Sequence, residues 1–227
     1  DLDAFAHTVA HDLKGPLSNI FGYASVLEQE LPPDADETLS DGITVIARSA
    51  QRMGNIIDAL LLLAGLRGAE VELEVVDMGS VVDDVLQRLA YVVTNYDAQV
   101  VLPERWPEAV GYGPWIEEVW ANYISNALKY GGTPPVVELG AETMPEGMIR
   151  FWARDNGAGM TEEEQAQLFA PFTRLAQVKV QGHGLGLSIV HRIIDRLGGD
   201  VGVRSTPNQG SEFYFCLPDS RYEVQSL

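Results

Sequence analysis

The chain has 227 residues, of which 33 are acidic and 15 are basic, so its formal net charge is −18. Such a charge argues against nucleic acid as a partner, because non-specific nucleic-acid binding draws on basic surface. The single cysteine excludes an intramolecular disulfide bond and leads us to expect a cytoplasmic protein. No apolar run approaches the roughly 20 residues that span a bilayer. Because the sequence starts at Asp1 rather than at a methionine, we expect it to be a fragment of a longer chain.

Two long helices are predicted first. Apolar residues three or four positions apart from Leu2 to Leu31 form one stripe of a helix, which Pro32 should end. A second run, from Leu39 to Ala64, alternates steps of four and three and is typical of the seam of a helical bundle. A hairpin of roughly 65 residues buries two such stripes poorly by itself. We therefore expect a homodimer in which two hairpins form a four-helix bundle.

A different pattern follows Gly68. Strands are predicted at 71–75, 99–102, 109–112, 136–141, 148–154, 200–204 and 211–217, and helices at 78–93, 115–130, 161–168 and 185–197. The predicted fold class is α+β: a helical hairpin followed by an α/β sandwich with a mixed sheet covered by helices on one face. The predicted domain limits are 1–68 for the hairpin, 69–76 for a linker, 77–218 for the α/β domain and 219–227 for a C-terminal tail.

The helix at 115–130 has one polar face. Glu118, Asn122, Asn126 and Lys129 follow steps of four, four and three, so they lie on the same side. An asparagine offers the oxygen ligand that Mg²⁺ prefers, and a lysine supplies a point charge for phosphate. By itself this motif fits a solvent-exposed face with amide hydrogen bonds equally well.

Two glycine-rich segments lie downstream. The segment Asp155–Gly159 follows a predicted strand, and its glycines allow close backbone approach and positive φ, while its aspartate is suited to accept a hydrogen bond from an exocyclic amine. The segment Gly182–Gly186 opens a helix whose free amide groups suit phosphate. It lacks the features of a Walker A loop and of the dinucleotide fingerprint. Each segment alone also fits an ordinary turn.

The sequence has Phe169-Ala170-Pro171-Phe172 between the two glycine-rich segments. The order of all these segments resembles that of the nucleotide pocket of one ATPase superfamily. That superfamily contains gyrase, the heat-shock chaperone and mismatch-repair ATPases and the histidine kinases. The resemblance covers about residues 71–218 and implies ATP and Mg²⁺ as cofactors. The residues that it assigns to the nucleotide are Asn122, Asn126, Lys129, Tyr130, Asp155, Gly157, Gly159, Phe172, Arg174, Gly182, His183, Gly184, Leu185 and Gly186.

The resemblance also implies individual roles. Asn126 would be the Mg²⁺ ligand, Asn122 and Lys129 would lie near the phosphates, and Asp155 would contact adenine. Arg174 would reach the γ-phosphate, although an ordinary surface role is as good an interpretation. Hydrolytic members of the superfamily have a glutamate as general base at the position of Asn122. An asparagine cannot take a proton, which favours phosphoryl transfer over hydrolysis.

The first predicted helix supplies an acceptor. The segment from Phe5 to Leu17, which contains His11-Asp12-Leu13-Lys14-Gly15-Pro16, resembles the phosphoacceptor box of two-component sensor histidine kinases. Imidazole is nucleophilic near neutral pH, and Asp12 can hydrogen-bond the other ring nitrogen. His7 does not match the acceptor position. Gly15 replaces the usual Thr or Asn, so we predict weak phosphatase activity towards the partner.

The sequence thus predicts an ATP-dependent protein-histidine autokinase. His11 and Asp12, with Asn122 and Lys129, are the predicted catalytic residues, and the phosphoryl group would pass from His11 to an aspartate of a response-regulator receiver domain. An upstream sensor domain is expected outside this fragment. Two alternatives stay open at this point: a catalytically silent ATP-binding dimerisation scaffold, and an ATP-hydrolysing clamp of the same superfamily. His183 is either a pH-sensitive group beside the phosphates or a spacer.

Overall fold

The computed structural model describes residues 2–32, 35–68, 71–166, 168 and 186–221. Within the first two helices, the side chains of residues 2–9, 11, 58–60, 63–64 and 66–68 are outside the described part. The chain divides into two compact units, Asp1–Ala69 and Glu70–Leu227. None of the helices in the described ranges is both long enough and apolar enough to cross a lipid bilayer.

The first unit is a helical hairpin. Helix α1 spans Leu2–Glu30 and contains Pro16, and helix α2 spans Glu37–Gly68. The Asp36 carboxylate accepts hydrogen bonds from the amide groups of Thr38 and Leu39, at 2.8 and 3.3 Å, and so caps the start of α2. The predicted end of α1 before the two prolines is confirmed.

The hairpin buries a narrow strip of small apolar side chains. Ala24 of α1 packs with Ile43 and Ala47 of α2. Larger residues of the predicted stripes stay exposed in the single chain, including Ile20 at 44% and Ile46 at 51%. A groove on this face is lined by Asn19, Ile20, Tyr23, Ala24, Leu27, Ile43 and Ile46.

The second unit alternates short strands and helices. Its strands are β1 (Glu74–Val76), β2 (Gln99–Val101), β3 (Ala109–Gly111), β4 (Val136–Thr143), β5 (Met148–Asp155), β6 (Val201–Ser205) and β7 (Ser211–Pro218). Its helices are α3 (Met78–Arg88), α4 (Ala90–Asn95), α5 (Gly113–Tyr130), α6 (Glu162–Gln165) and α7 (Gly186–Arg196). The predicted α+β class is therefore confirmed.

The main sheet is mixed. Its five strands lie in the order β2-β4-β5-β7-β6, with β2 parallel to β4 and the other neighbours antiparallel. β1 and β3 form a separate antiparallel pair, in which Val75 is opposite Val110. Helices α5 and α7 pack against each other and against strands of the main sheet. This arrangement sets the position of α5, which carries the predicted polar face.

The core between α5 and the sheet is aromatic. The ring centroids of Trp120 and Phe215 are 5.2 Å apart, and Phe151 stacks on Phe215 with a centroid distance of 5.3 Å. The Trp120 indole N–H donates to the Met78 sulfur at 3.0 Å, so its polar atom is satisfied inside the core. Fully burying one such side chain stabilises the fold by about 1.5–3 kcal/mol, which holds α5 firmly on the sheet.

Four predictions differ from the structure. The strand predicted over 71–75 begins only at Glu74 and ends at Val76. The helix predicted over 78–93 is two helices that meet at Leu89, whose φ of −94° and ψ of 4° depart from the helical values. The helix predicted over 161–168 is only four residues long, and its capping box of Thr161 and Glu164 fixes its start. Asp219, which the sequence places in the tail, is buried and pairs with Ala109. Asp219 and Ser220 therefore belong to the folded unit.

Candidate nucleotide and phosphoacceptor site

Helix α5 presents a polar strip beside a wide buried face. Its buried residues are Trp115, Ile116, Val119, Trp120, Tyr123, Ile124, Ala127 and Leu128. The predicted site residues Asn122, Asn126 and Lys129 lie between these positions and are half-buried. The sequence prediction that they share one face of a helix agrees with this arrangement.

Asn122 connects this strip to helix α7. Its amide nitrogen lies 3.4 Å from the Glu118 carbonyl oxygen, as a long hydrogen bond. Its amide oxygen points at Gly186, the first residue of α7, so closely that a Cβ at Gly186 would overlap that oxygen. A glycine is therefore required at the start of α7 for Asn122 to keep this position.

Lys129 is partly withdrawn from water. Burial lowers the pKa of its amine from the ordinary 10.5, because desolvation disfavours the charged form. Among the described residues no carboxylate forms an ion pair with Lys129. An anion placed beside it would relieve this cost, since an opposite charge favours the ammonium form.

Asp155 ends strand β5 in a buried position, with 6% of its surface exposed. Its Oδ1 accepts hydrogen bonds from the backbone amides of Gly157, at 2.7 Å, and Ser211, at 3.3 Å. Burial raises the pKa of the carboxyl group above 3.8, and the two amide donors oppose this effect. No described residue donates a hydrogen bond to Oδ2, so this oxygen is the one suited to a ligand donor.

The glycines around Asp155 allow three close backbone contacts. Gly157 lies against the carbonyl of Tyr130, at the end of α5. Gly159 has a φ of 68° and lies against the Thr206 carbonyl, and Gly210, with a φ of 79°, lies against the Asp155 carbonyl. Positive φ values and missing Cβ atoms explain why glycine occupies these turns. The Asp155 turn is thereby joined to α5 on one side and to the β6–β7 hairpin on the other.

The structure thus places the Asp155 turn and the start of α7 against α5, the helix that carries the polar strip. Tyr130 is the last residue of α5, and 39% of its surface is exposed. The predicted residues Phe172, Arg174, Gly182, His183, Gly184 and Leu185 lie outside the described residues.

Two side chains that the sequence prediction omitted tie the site together. Asn156 hydrogen-bonds the turn that follows α5. Gln165 of α6 donates to the Ser205 carbonyl at 3.0 Å and accepts from the Ser205 amide at 3.2 Å. The backbone groups that these bonds join are 20 or more residues away in sequence. The sequence itself shows only an amide side chain next to a motif.

The phosphoacceptor segment lies in α1. The backbone of His11 is inside this helix, and its side chain is outside the described part of the structure. Asp12, Lys14 and Pro16 are exposed. Proline has no amide hydrogen, so the Asp12 carbonyl receives no helical hydrogen bond from Pro16.

Two family models match the chain. The "His Kinase A (phospho-acceptor) domain" matches residues 1–68, and the "Histidine kinase-, DNA gyrase B-, and HSP90-like ATPase" matches residues 111–221. The chain belongs to the histidine kinases. Both halves of the resemblance inferred from the sequence are thereby confirmed, and the chain contains a phosphoacceptor domain followed by a histidine-kinase-type ATPase domain.

Individual relatives agree with this family. The chain is 32% identical over 222 residues to cyanobacterial phytochrome B of Nostoc sp.. The aligned region covers 96% of this chain and 30% of that protein. It is 29% identical over 216 residues to the sensor protein kinase PmrB of Pseudomonas aeruginosa, covering 93% and 44% respectively. The crystal structure of full-length ShkA in complex with AMPPNP superposes with a TM-score of 0.71 at 25% identity, covering 95% of this chain and 46% of that one. The chain spans less than half of each of these proteins.

Proposed function

We propose that this chain is the catalytic core of an ATP-dependent protein-histidine autokinase of a two-component system. The observation that carries the proposal is the presence of a histidine-kinase phosphoacceptor domain and a histidine-kinase-type ATPase domain in one chain. In the proposed reaction, His11 receives the γ-phosphoryl group of ATP and then passes it to an aspartate of a response-regulator receiver domain.

We assign the nucleotide to the strip on α5 and the Asp155 turn. Oδ2 of Asp155 is suited to accept a hydrogen bond from the exocyclic amine of adenine, because only Oδ1 is used by the backbone amides of the described residues. Lys129 supplies a partly desolvated positive charge for the phosphates. The ATP-analogue complex of ShkA supports an adenine nucleotide as the ligand. Phe172, Arg174 and the segment Gly182–Gly186 complete the proposed pocket.

Asn126 is the residue that we propose as a magnesium ligand. It is half-buried on the same helix face as Asn122. A single neutral amide oxygen suits Mg²⁺, which keeps several waters and takes other ligands from phosphate oxygens. When bound, the ion would offset the negative charge that the phosphates carry.

The chemistry at His11 is a phosphoryl transfer. The unprotonated imidazole nitrogen forms a bond to the γ-phosphorus while the bond from that phosphorus to the β,γ-bridging oxygen breaks, and ADP leaves. The proton on the other ring nitrogen passes to Asp12, which acts as the base. Lys129 stabilises the charge on the phosphate oxygens during transfer. Asn122 has no basic oxygen with which to activate water, so hydrolysis is not promoted at this position.

The proposed partners follow from the hairpin. The groove that Ile20, Tyr23, Leu27 and Ile46 line is apolar and exposed in one chain, and a second hairpin would cover it to form a four-helix bundle. The receiver domain would dock near His11, at exposed positions such as Lys14 and Ser18. We further propose a cytoplasmic location and an upstream sensor domain in the full-length protein.

The test compares where the γ-phosphate goes. The purified chain is incubated with Mg²⁺ and γ-labelled ATP, and protein-bound label is measured together with released phosphate. The proposal predicts label on the protein in excess of free phosphate during the first turnover. Steady release of phosphate with no labelled protein would instead identify a hydrolase, and bound nucleotide with neither product would identify a silent scaffold.

A further inference from the structure

Asn156 is an exposed residue whose side-chain oxygen and nitrogen both hydrogen-bond backbone groups of another segment. Its Oδ1 accepts hydrogen bonds from the amide of Gly132, at 2.8 Å, and from the amide of Val136, at 2.9 Å. Its Nδ2 donates to the carbonyl oxygen of Pro134 at 3.2 Å. Three hydrogen bonds from one side chain therefore bind the turn 131–136.

This turn connects two parts of the proposed nucleotide site. It begins directly after Lys129 and Tyr130, the last residues of α5, and the Gly131 amide donates to the Ala127 carbonyl at 2.9 Å to close the helix. It ends at Val136, where β4 begins. Fixing the turn therefore fixes the end of α5 that carries Lys129.

The turn is shaped to receive the Asn156 amide. A Cβ at Gly132 would lie 2.8 Å from Nδ2 of Asn156, and one at Gly131 would lie 3.3 Å from Oδ1. The first of these distances is shorter than any ordinary contact, so a side chain at position 132 would displace the asparagine. On the other side, Gly157 lies against the Tyr130 carbonyl. Asn156 and Gly157 thus hold the same helix end from adjacent positions.

Asn156 follows Asp155 directly in the chain. Movement of the turn relative to Asn156 would therefore change the separation between the Asp155 carboxylate and the Lys129 amine. These are the two groups that we assign to opposite ends of the nucleotide, adenine and phosphate. Binding both ends at once requires a constant separation, because a misplaced group loses its contact or must be reordered on binding.

We propose that Asn156 is a positioning residue for the nucleotide, which keeps Lys129 and Asp155 in register through the turn 131–136. The inference rests on the proposed function, since it presupposes that these two groups bind ATP. Because Asn156 is exposed and outside the aromatic core, its loss should weaken nucleotide binding without unfolding the domain.

The experiment measures ADP affinity by titration calorimetry on the full chain, for the wild type, Asn156→Ala, Asn156→Asp and the control Asn95→Ala. Asn95 is an exposed asparagine at the end of α4. We expect Asn156→Ala to bind ADP about 10-fold more weakly, as expected when three hydrogen bonds that order a site are lost, while Asn95→Ala binds as the wild type does. Asn156→Asp keeps an acceptor for both amide groups and should recover part of the lost affinity.

Kinetics separate positioning from folding. For Asn156→Ala the KM for ATP in autophosphorylation should rise about as much as the ADP dissociation constant, and kcat at saturating ATP should fall by a smaller factor than KM rises. Wild-type affinity for ADP in Asn156→Ala would overturn the inference alone. A fall in kcat that matches a loss of folded protein would also overturn it. Failure of the wild type to bind ADP would overturn the proposed function together with this inference.

Discussion

The buried Asp155 carboxylate offers a substitution that separates ligand recognition from fold stability. In Asp155→Asn, the side-chain oxygen keeps its place opposite the amides of Gly157 and Ser211. The amide nitrogen replaces Oδ2, the oxygen that we assign to the exocyclic amine of adenine. A donor would then face a donor, so adenine should lose its hydrogen bond to a charged acceptor.

The size of the loss follows from the type of bond. A hydrogen bond to a charged group contributes about 1.5–3 kcal/mol, which corresponds to roughly 10- to 150-fold in affinity for ADP. Stability should change in the opposite sense. Burial raises the pKa of Asp155 above 3.8, so the folded wild type loses stability as the pH rises from 3.8 through the raised pKa. The variant has no such carboxyl group and should unfold at pH 7 no more easily than the wild type.

The assay is calorimetric titration with ADP and with GDP, alongside thermal unfolding. The guanine oxygen at the equivalent position accepts hydrogen bonds, so the ratio of ADP to GDP affinity should fall in Asp155→Asn. The matched control is Asp83→Asn, which removes the same charge from an exposed position on α3. Unchanged ADP affinity and an unchanged ADP-to-GDP ratio would refute the assignment of Asp155 to adenine.

Three further substitutions test the start of α7, the Lys129 amine and the apolar groove of the hairpin. Gly186→Ala places a Cβ where the side-chain oxygen of Asn122 lies, so it should displace the Asn122 amide and reduce autophosphorylation about 10-fold. Gly113→Ala, at the open first position of α5, should leave the initial rate unchanged. Lys129→Met should weaken ATP binding about 10-fold. Because burial lowers the pKa of the Lys129 amine, the ATP affinity of the wild type should decline at alkaline pH. Titration across pH should show that this decline is absent from Lys129→Met. Ile46→Asp, in the apolar groove, should shift sedimentation towards a monomer, and Val45→Asp, exposed outside the groove, should leave the dimer intact. Equal rates for the two glycine variants would contradict the role of Gly186, and equal sedimentation of Ile46→Asp and Val45→Asp would contradict the dimer groove. A wild-type ATP affinity that does not change with pH would contradict the role of Lys129.

Periodic patterns predicted the elements well. The helical hairpin, the α5 face and most strands of the second unit lie where spacing and turn residues placed them. These features depend on the spacing of apolar residues, which is three or four positions in helices and two in strands. This spacing can be read directly from the sequence. The break at Leu89 was missed because neither glycine nor proline marks it.

The periodic patterns could not predict which distant strands pair. The parallel alignment of β2 with β4, and the separate pair formed by β1 and β3, depend on contacts between distant segments. Asn156 was missed for the same reason, because its hydrogen-bond partners are backbone groups 20 to 24 residues away. Local sequence identifies an amide beside a glycine turn but does not identify the groups that it binds. The roles of Asn126, Asp12 and His11 stay predictions.

The most direct test of the central claim is the position and chemistry of the transferred phosphate. The purified chain is incubated with Mg²⁺ and γ-labelled ATP beside His11→Gln and the matched control His7→Gln, and the labelled protein is treated with acid and with alkali. Phosphoryl transfer to His11 predicts an acid-labile, alkali-stable label in the wild type and His7→Gln that is absent from His11→Gln. A label that persists in His11→Gln, or no label on a wild-type chain that binds nucleotide, would contradict it.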